Sequence, residues 1–502
     1  MADTKREIER KYESDDSGLP DLTGVAGVAA VVDKGVAHLD ATYYDTPDER
    51  LAAASITLRR RLGGSDAGWH LKLPVAPGVR DEVHAPLSAT VPRSLVALIR
   101  ARIRDAELLP VMRLRSDRDV RDLVDAEGRL LAEVSVDAVR AERLGGDGGT
   151  AQWTEMEVEL ADDGDPAFLD KVDKRLRKAG VRPAKSASKL ARALAETEPR
   201  KKRKKQRPAA PEPVTAGDHV LAYVREQRDA ILELDPAVRQ DAYDSVHRMR
   251  VATRRMRSSF RSYSKVLDRA VTDPIGEELK WLAGELGVDR DQEVLTERIT
   301  AAVDELPRTL VVGPVRTRLR TWAHARRGGS RRRLIAVLDG KRYLQLLETL
   351  DALVADPPLL EAAAGKPEKV LAKAVRKDFG KVAKLVEQAL GEPAGHDRDL
   401  VLHEARKKAK RTRYAAEAAV PALGGPASAL VKSAKALQNL LGDHQDSVMA
   451  REALREIAAQ AQGAGESAFT YGVLYGREEQ RAATDEAELP GLWAEVKGGL
   501  GS

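Results

Sequence analysis

Hydrophobic period constrains this chain more than any other feature. Through the first 160 residues polar and apolar side chains alternate in twos, and beyond residue 217 they recur in threes and fours. Period two belongs to strands and a period near 3.6 to helices, so a β domain is expected to precede an α domain. Alternating runs at 7–12, 56–61, 69–73, 79–84, 112–115, 131–137 and 154–160 predict at least seven strands, joined at turn signals such as Gly63-Gly64, Pro77-Gly78 and Gly145-Gly146. Helical period interrupts at 94–104 and 170–178.

The polar faces of these strands are charged, not neutral. Glu7, Glu9 and Lys11 share one face, Arg59 and Arg61 another, His70 and Lys72 a third, Arg80, Glu82 and His84 a fourth, and Arg113 and Arg115 a fifth. Acidic faces follow with Glu133 and Asp137, then Glu155, Glu157 and Glu159. A wet antiparallel sheet is the ordinary cause of alternation, but such a sheet carries Thr, Ser and Gln, which are sparse here. Closing the sheet with the charged face inward gives a polar tunnel. Its cations suit a polyanion and its clustered carboxylates suit Mg²⁺ or Mn²⁺.

The run from Pro199 to Pro213 is basic and then rich in Pro and Ala, with no apolar period, so 199–217 reads as an extended linker. Beyond it, His247, Arg250, Arg254, Arg257 and Arg261 fall in steps of three and four on one helix face, and prolines 236, 274, 307, 314, 357, 358, 393 and 421 mark helix ends. One such stripe by itself cannot be told from a solvated face. The pattern returns as His403, Arg406, Lys410 and Arg413, offset by 156 residues, and Leu286-Gly-Val-Asp-Arg-Asp291 returns as Leu441-Gly-Asp-His-Gln-Asp446, offset by 155. Two features at nearly one offset imply a duplicated helical unit, with halves near 218–360 and 361–502. In each half a Leu-Gly turn is expected after the basic helix, its closing Asp acting as a helix cap or ion-pair partner. If the halves pack about a pseudo-twofold axis, both stripes line one groove, which Lys373, Arg376, Lys377, Lys381 and Lys384, or Arg316, Arg320 and Arg327, extend.

Aromatic residues make up 4% of the chain, which disfavours stacking recognition of single-stranded nucleic acid. Cys is absent, removing disulfides, zinc–thiolate sites and cysteine nucleophiles and fitting a reducing cytoplasm. No run of about 18 apolar residues and no signal-like start is present, so neither a membrane partner nor secretion is expected.

The ordered set Glu7-Ile-Glu-Arg-Lys11, Tyr43-Tyr-Asp-Thr46, Leu58-Arg-Arg-Arg61, Leu71-Lys-Leu-Pro74, Glu157-Val-Glu159 and Ser188-Lys189 resembles the CYTH superfamily of triphosphate tunnel metalloenzymes over residues 1–198. The resemblance implies an antiparallel β-barrel that binds a triphosphate and hydrolyses it, or in some members cyclises ATP, with a divalent metal. It makes Glu7, Glu9, Asp137, Glu157 and Glu159 metal ligands, and Lys11, Arg59, Arg61, Lys72, Arg113, Arg115 and Lys189 triphosphate ligands. Lys11, Glu7 and Glu9 take the catalytic roles. Roles for His70, Glu82, Glu133 and Glu155 stay open.

The helical half, residues 218–502, is similar to the CHAD family, a helical domain associated with CYTH proteins and with polyphosphate binding. The matching residues are His247, Arg250, Arg254, Arg255 and Arg257, then His403, Arg406, Lys407, Lys410, Arg411 and Arg413. The fold expected is therefore multidomain α+β, an antiparallel barrel tunnel followed by an all-α duplicated bundle. The function expected is metal-dependent hydrolysis of inorganic triphosphate, polyphosphate or a related triphosphate, with polyphosphate held by the helices and the protein cytoplasmic, at polyphosphate granules. A non-catalytic granule scaffold, a cyclic-AMP-forming CYTH enzyme and a nucleic-acid binder are the alternatives.

Overall fold

A computed structural model describes residues 3–14, 18–145, 148–198, 212–287, 290–326 and 330–498. The basic run of the linker at 199–211 and Arg327 lie outside these residues. The chain divides into two compact units, residues 1–209 and 210–502.

The first unit contains β1 (Asp3–Glu13), β2 (Ala30–Asp45), α1 (Arg50–Ala53), β3 (Thr57–Leu62), β4 (Gly68–Ala76), β5 (Val79–Ala85), α2 (Arg93–Ile103), β6 (Leu109–Val124), β7 (Leu130–Arg143), β8 (Thr150–Leu160), α3 (Ala167–Lys178), β9 (Arg182–Pro183) and α4 (Lys189–Glu196). Strand order is β5-β4-β3-β2-β6-β7-β8-β1, and β1 pairs back with β5, so eight antiparallel strands close a barrel. The short β9 adds outside, on the end of β1.

The barrel is turned inside out relative to an ordinary core. Tyr12, Val134, Met156 and Val158 point outward and are covered by Phe168, Leu169, Val172 and Leu176 of α3. Leu58, Trp69, Leu71 and Val83 point outward under Leu95, Leu98 and Ile99 of α2. Strict alternation then sends the charged residues between them inward. At one end the inward face is apolar instead: Ala41, Tyr43, Met112, Leu114, Val139, Ala141 and Trp153 pack with Leu190 and Ala193 of α4, which fill that end. Ser188 caps α4, its hydroxyl accepting from the Ala191 N–H at 3.1 Å.

The second unit is helical: α5 (Ala216–Arg239), α6 (Ser245–Ser262), α7 (Arg269–Glu285), α8 (Arg290–Asp304), α9 (Val315–Arg326), α10 (Ser330–Asp339), α11 (Lys341–Ala355), α12 (Pro367–Gly391), α13 (His396–Leu423), α14 (Gly425–Gly463) and α15 (Phe469–Gly498). A capping box between Thr215 and Asp218 starts α5 inside the segment expected to be linker. Pro236, Pro274 and Pro421 sit within helices, Pro236 and Pro421 in last turns, so these three do not separate elements as expected. The buried face of α13 is built from Ala405, Ala409, Ala415, Ala416 and Ala419, small residues that let neighbours approach closely. The Tyr263 hydroxyl, just past α6, donates to the Ala415 carbonyl at 2.5 Å and ties the two stripe-bearing helices together. Among the described residues no helix is long and apolar enough to cross a membrane.

The expected Leu-Gly turn is present once. Leu286 and Gly287 end α7, whereas Leu441 and Gly442 lie inside the 39-residue α14. Asp446 is accordingly mid-helix and not a cap. The side chain of Asp291 lies outside the described part of the structure.

Candidate functional site

The barrel encloses a cavity of about 740 Å³. Glu7, Glu9 and Lys11 of β1, Arg59 and Arg61 of β3, Lys72 of β4, Glu157 and Glu159 of β8, and Lys189 at the start of α4 all line it. In register, Glu9 stands opposite Glu159 and Lys11 opposite Glu157. Like charges directly opposed across a ladder are destabilising unless cations lie between them, and here ammonium groups do. Lys11 donates to Glu9 at 3.0 Å and to Glu157, Lys72 donates to Glu7 at 2.5 Å, and Lys5 donates to Glu159 at 3.0 Å.

Burial, then the hydrogen bond to Glu82, pushes Glu7 up to about 8. Burial opposes ionised Glu82 as well, but His70, Lys72 and Arg59 outweigh it and hold Glu82 well below the carboxylate range. Burial of Glu157 is likewise outweighed by Lys11, Lys189 and Arg118. Arg61 is buried, and burial followed by Arg59 and Arg118 pulls it down to about 9. Its one ion-pair partner among the described residues is Asp66, on the β3–β4 turn. A cation crowded by cations is relieved by a bound anion.

Three of the residues assigned from the sequence lie off the cavity wall. Arg113 and Arg115 do not line the cavity; Arg113 forks onto Asp40 at 2.9 and 2.5 Å, and Arg115 lies 3.8 Å from the same carboxylate. Met112 and Leu114 fill the barrel end, and alternation therefore turns the odd positions of β6 outward. Asp137 has no exposed surface, does not line the cavity, and pairs with Arg118 at 2.9 and 2.8 Å and with Lys189 at 3.0 Å, which positions those cations. The even-numbered position of β6 that does reach the cavity with charge is Arg118, which also meets Glu157 at 3.2 Å and which sequence reading missed. Lys5 was missed as a lining cation too, and Arg80, expected on a charged strand face but given no role, also lines the cavity.

Glu7, Glu9, Glu157 and Glu159 are hard oxygen donors on one wall, the chemistry Mg²⁺ and Mn²⁺ take. The lysines now between them stand where a cation would. Among the described residues, the group whose ligand atoms already converge within 4.8 Å lies elsewhere, at Asp399, His444 and Glu486. There His444 bridges α13, α14 and α15, with Asp399 at 3.4 Å and Glu486 at 3.2 Å, while Arg451 and Arg398 each stand 3.3 Å from one of the two carboxylates. That balance of charge describes a buried ion network.

The helical unit holds a groove of about 830 Å³ in which the two stripes meet. His247, Arg250, Arg254 and Arg257 enter from α6, and His403, Arg406, Lys407, Lys410 and Arg411 from α13. Arg255 and Arg413 do not line it. Both pair with Glu417, at 3.1 and 3.5 Å, and flank the Tyr414 ring; Arg255 lies about 100° from Arg254, which faces the groove, whereas Arg413 shares the phase of Arg406 and is engaged by Glu417 one turn on. Lys280 and Arg298 join the lining unforeseen. Burial, then Arg406 and Arg254, lowers Lys410 to about 7.

The repeated glycines explain the Leu-Gly signal. A Cβ on Gly287 would stand 2.8 Å from Arg250 Cζ, and one on Gly442 would stand 3.3 Å from Arg406 Nη2. Arg250 and Arg406 are equivalent positions of the two stripes, so each half uses glycine to let its arginine lie against the following helix.

A CYTH domain model matches residues 5–194 and a CHAD domain model matches residues 222–455. Uncharacterized proteins from two strains of Mycobacterium tuberculosis are each 42% identical over 500 residues, covering 96% of this chain and 94% of theirs. Among solved structures, PptA from Streptomyces chartreusis is 20% identical with a TM-score of 0.48, over 56% of this chain and 99% of its own. The CHAD domain from the plant Ricinus communis is 24% identical with a TM-score of 0.42, over 58% and 95%.

Proposed function

This chain belongs to the CYTH and CHAD domain families, in that order along the sequence, and from that premise we propose that it is a metal-dependent triphosphatase whose helical domain binds inorganic polyphosphate. The observation that carries the reading is the tunnel wall: cations from β1, β3, β4, β6 and α4 and carboxylates from β1 and β8 face one cavity. Phosphoanhydride cleavage asks chiefly for neutralised charge and in-line positioning, with little covalent work for the protein. Arg59, Arg61 and Arg118 hold phosphoryl oxygens with the fixed fork of guanidinium. Lys72, Lys11 and Lys189 neutralise the chain between them, each exchanging a carboxylate partner for a phosphate oxygen. Glu7, Glu9, Glu157 and Glu159 hold Mg²⁺ or Mn²⁺, which when bound supplies Lewis-acid polarisation and an activated water. Arg113, Arg115 and Asp137 are not part of this set.

In the helical unit the groove cations bind a linear polyanion through focused positive field, and affinity falls steeply with salt as counterions are released. Full-length protein with Mg²⁺ or Mn²⁺ is offered tripolyphosphate, long-chain polyphosphate, thiamine triphosphate and ATP, with phosphate and cyclic nucleotide both measured. Turnover that disappears in Glu7→Gln with Glu9→Gln is expected. Turnover that survives in that variant removes the metal assignment, and cyclic nucleotide without phosphate release replaces hydrolysis by cyclisation. Tight long-chain binding with no turnover of any substrate leaves a scaffold.

A further inference from the structure

Beside the groove lies a second basin, of about 710 Å³, walled by α6, α7, α12 and α13. Arg257, Arg261 and Arg411 line both cavities. Beyond them the basin receives Arg269 from α7 and Lys377 and Lys381, one turn apart, from α12. Against these six cations its lining holds two acids, Asp273 and Glu277. Asp273 is engaged by Arg269 at 2.6 Å, and Glu277 stands 3.7 Å from Arg261 and accepts from Lys280 at 3.2 Å. The buried Asp378 accepts from Arg411 at 2.5 Å, from Lys381 at 2.8 Å and from Ser262 at 2.6 Å, and so fixes where both cations present their charge. Arg257, between the cavities, is a half-buried residue whose buried Nε has no hydrogen-bond partner.

We propose that this basin takes the continuation of a polyphosphate chain seated in the groove, so that the helical unit carries one bent binding path and not a single patch. The inference rests on the polyphosphate reading of the groove. Shared arginines are its basis: Arg257, Arg261 and Arg411 have one set of donors each, and a single chain crossing from cavity to cavity uses them once, whereas two separate anions compete for them. A concave basin bounded by four helices also fits a flexible single-stranded polyanion better than a flat bilayer surface.

The test uses the full chain carrying Arg59→Ala and Arg61→Ala, which removes anion binding in the tunnel, and calorimetry at several salt concentrations with tripolyphosphate and with long-chain polyphosphate. Lys377→Ala with Lys381→Ala is expected to weaken long-chain binding about tenfold and to make its salt dependence shallower by about 1.4, roughly 0.7 for each cation removed from a single-stranded polyanion. Tripolyphosphate binding is expected to change less than about twofold, because so short a ligand is satisfied by the groove. Both lysines lie at the surface, and Lys377→Glu alone is expected to give the same selectivity where the double variant loses stability. Equal losses for both ligands, or no loss for either, overturn the basin. If neither ligand binds the parent chain, the polyphosphate reading of the groove is what fails.

Discussion

Replacing Gly287 and Gly442 together by alanine should separate stability from binding. At Gly442 the new methyl lies inside α14, where alanine is favoured over glycine by about 1 kcal/mol. The 3.3 Å approach to Arg406 Nη2 is relieved by a shift of a few tenths of an ångström in a flexible side-chain end. At Gly287 the contact with Arg250 Cζ begins at 2.8 Å, and the guanidinium must swing by about 0.6 Å to reach ordinary contact. The fold therefore keeps its stability or gains up to about 1 kcal/mol, read as an unchanged or raised denaturation midpoint. The two arginines leave the positions from which they fork onto an anion. A charge-assisted hydrogen bond is worth about 1.5–3 kcal/mol, and misaligning two of them by this amount should cost about 1.4 kcal/mol in all, or roughly tenfold in polyphosphate Kd. A stable double variant with parental affinity would refute the idea that these glycines set the arginine pose. A variant that unfolds would show that the glycines serve the backbone instead.

Two titrations follow from named groups. Because Lys410 is held near pH 7 by burial, Arg406 and Arg254, an arriving polyanion should protonate it, and binding above pH 7 should take up close to one proton. Calorimetry at pH 8 in buffers of different ionisation enthalpy measures this; Lys410→Arg should abolish the uptake, and its absence in the parent chain would discard the assignment. For His444, burial works against the imidazolium but hydrogen bonds to Asp399 and Glu486 outweigh it and raise the pKa above the usual value near 6.5. The stabilisation is fully present below pH 6.5 and lost as pH rises through the raised value, so the denaturant midpoint should fall across that window and His444→Gln should flatten the fall. A midpoint that rises over the same range contradicts the network.

Much of the barrel was legible because its rule is simple. Closed strands alternate, and charged residues at 7, 9, 11, 59, 61, 72, 157 and 159 share the inward parity. What escaped reading did so where that rule is locally broken. Strand β2 was not anticipated, since bulges at Asp33/Gly35 and Tyr43/Tyr44 shift its parity and much of its first half is exposed. In β6 the charges at 115, 117, 118, 119, 121 and 122 occupy both parities, and only the apolar plug at Met112 and Leu114 decides which face is inside. Asp137 carries the right chemistry for a metal ligand; its commitment to Arg118 and Lys189 depends on α4, whose approach no strand pattern encodes. In the helical unit the three-and-four spacing located most groove residues and puts Arg255 out of phase with them, but it also included Arg413, which pairs with Glu417 instead of lining the groove. The duplicated Leu-Gly was seen as a signal but read as a turn. Its cause is a steric allowance for a side chain some 35 residues earlier in each half.

The apolar plug that α4 sets into one end of the barrel also dictates traffic. A passage stopped at one end cannot be threaded, so under the proposed function a chain would enter by its terminus and whatever is cut off would leave through the same mouth. Interior anhydride bonds of a long polymer would then never reach the wall of Arg59, Arg61 and Arg118. Turnover would count chain ends and not phosphate units, and at equal total phosphate a preparation of longer polymers would be the poorer substrate. The groove on the helices, proposed to grip polymer along its length, would answer a different property of the same molecule.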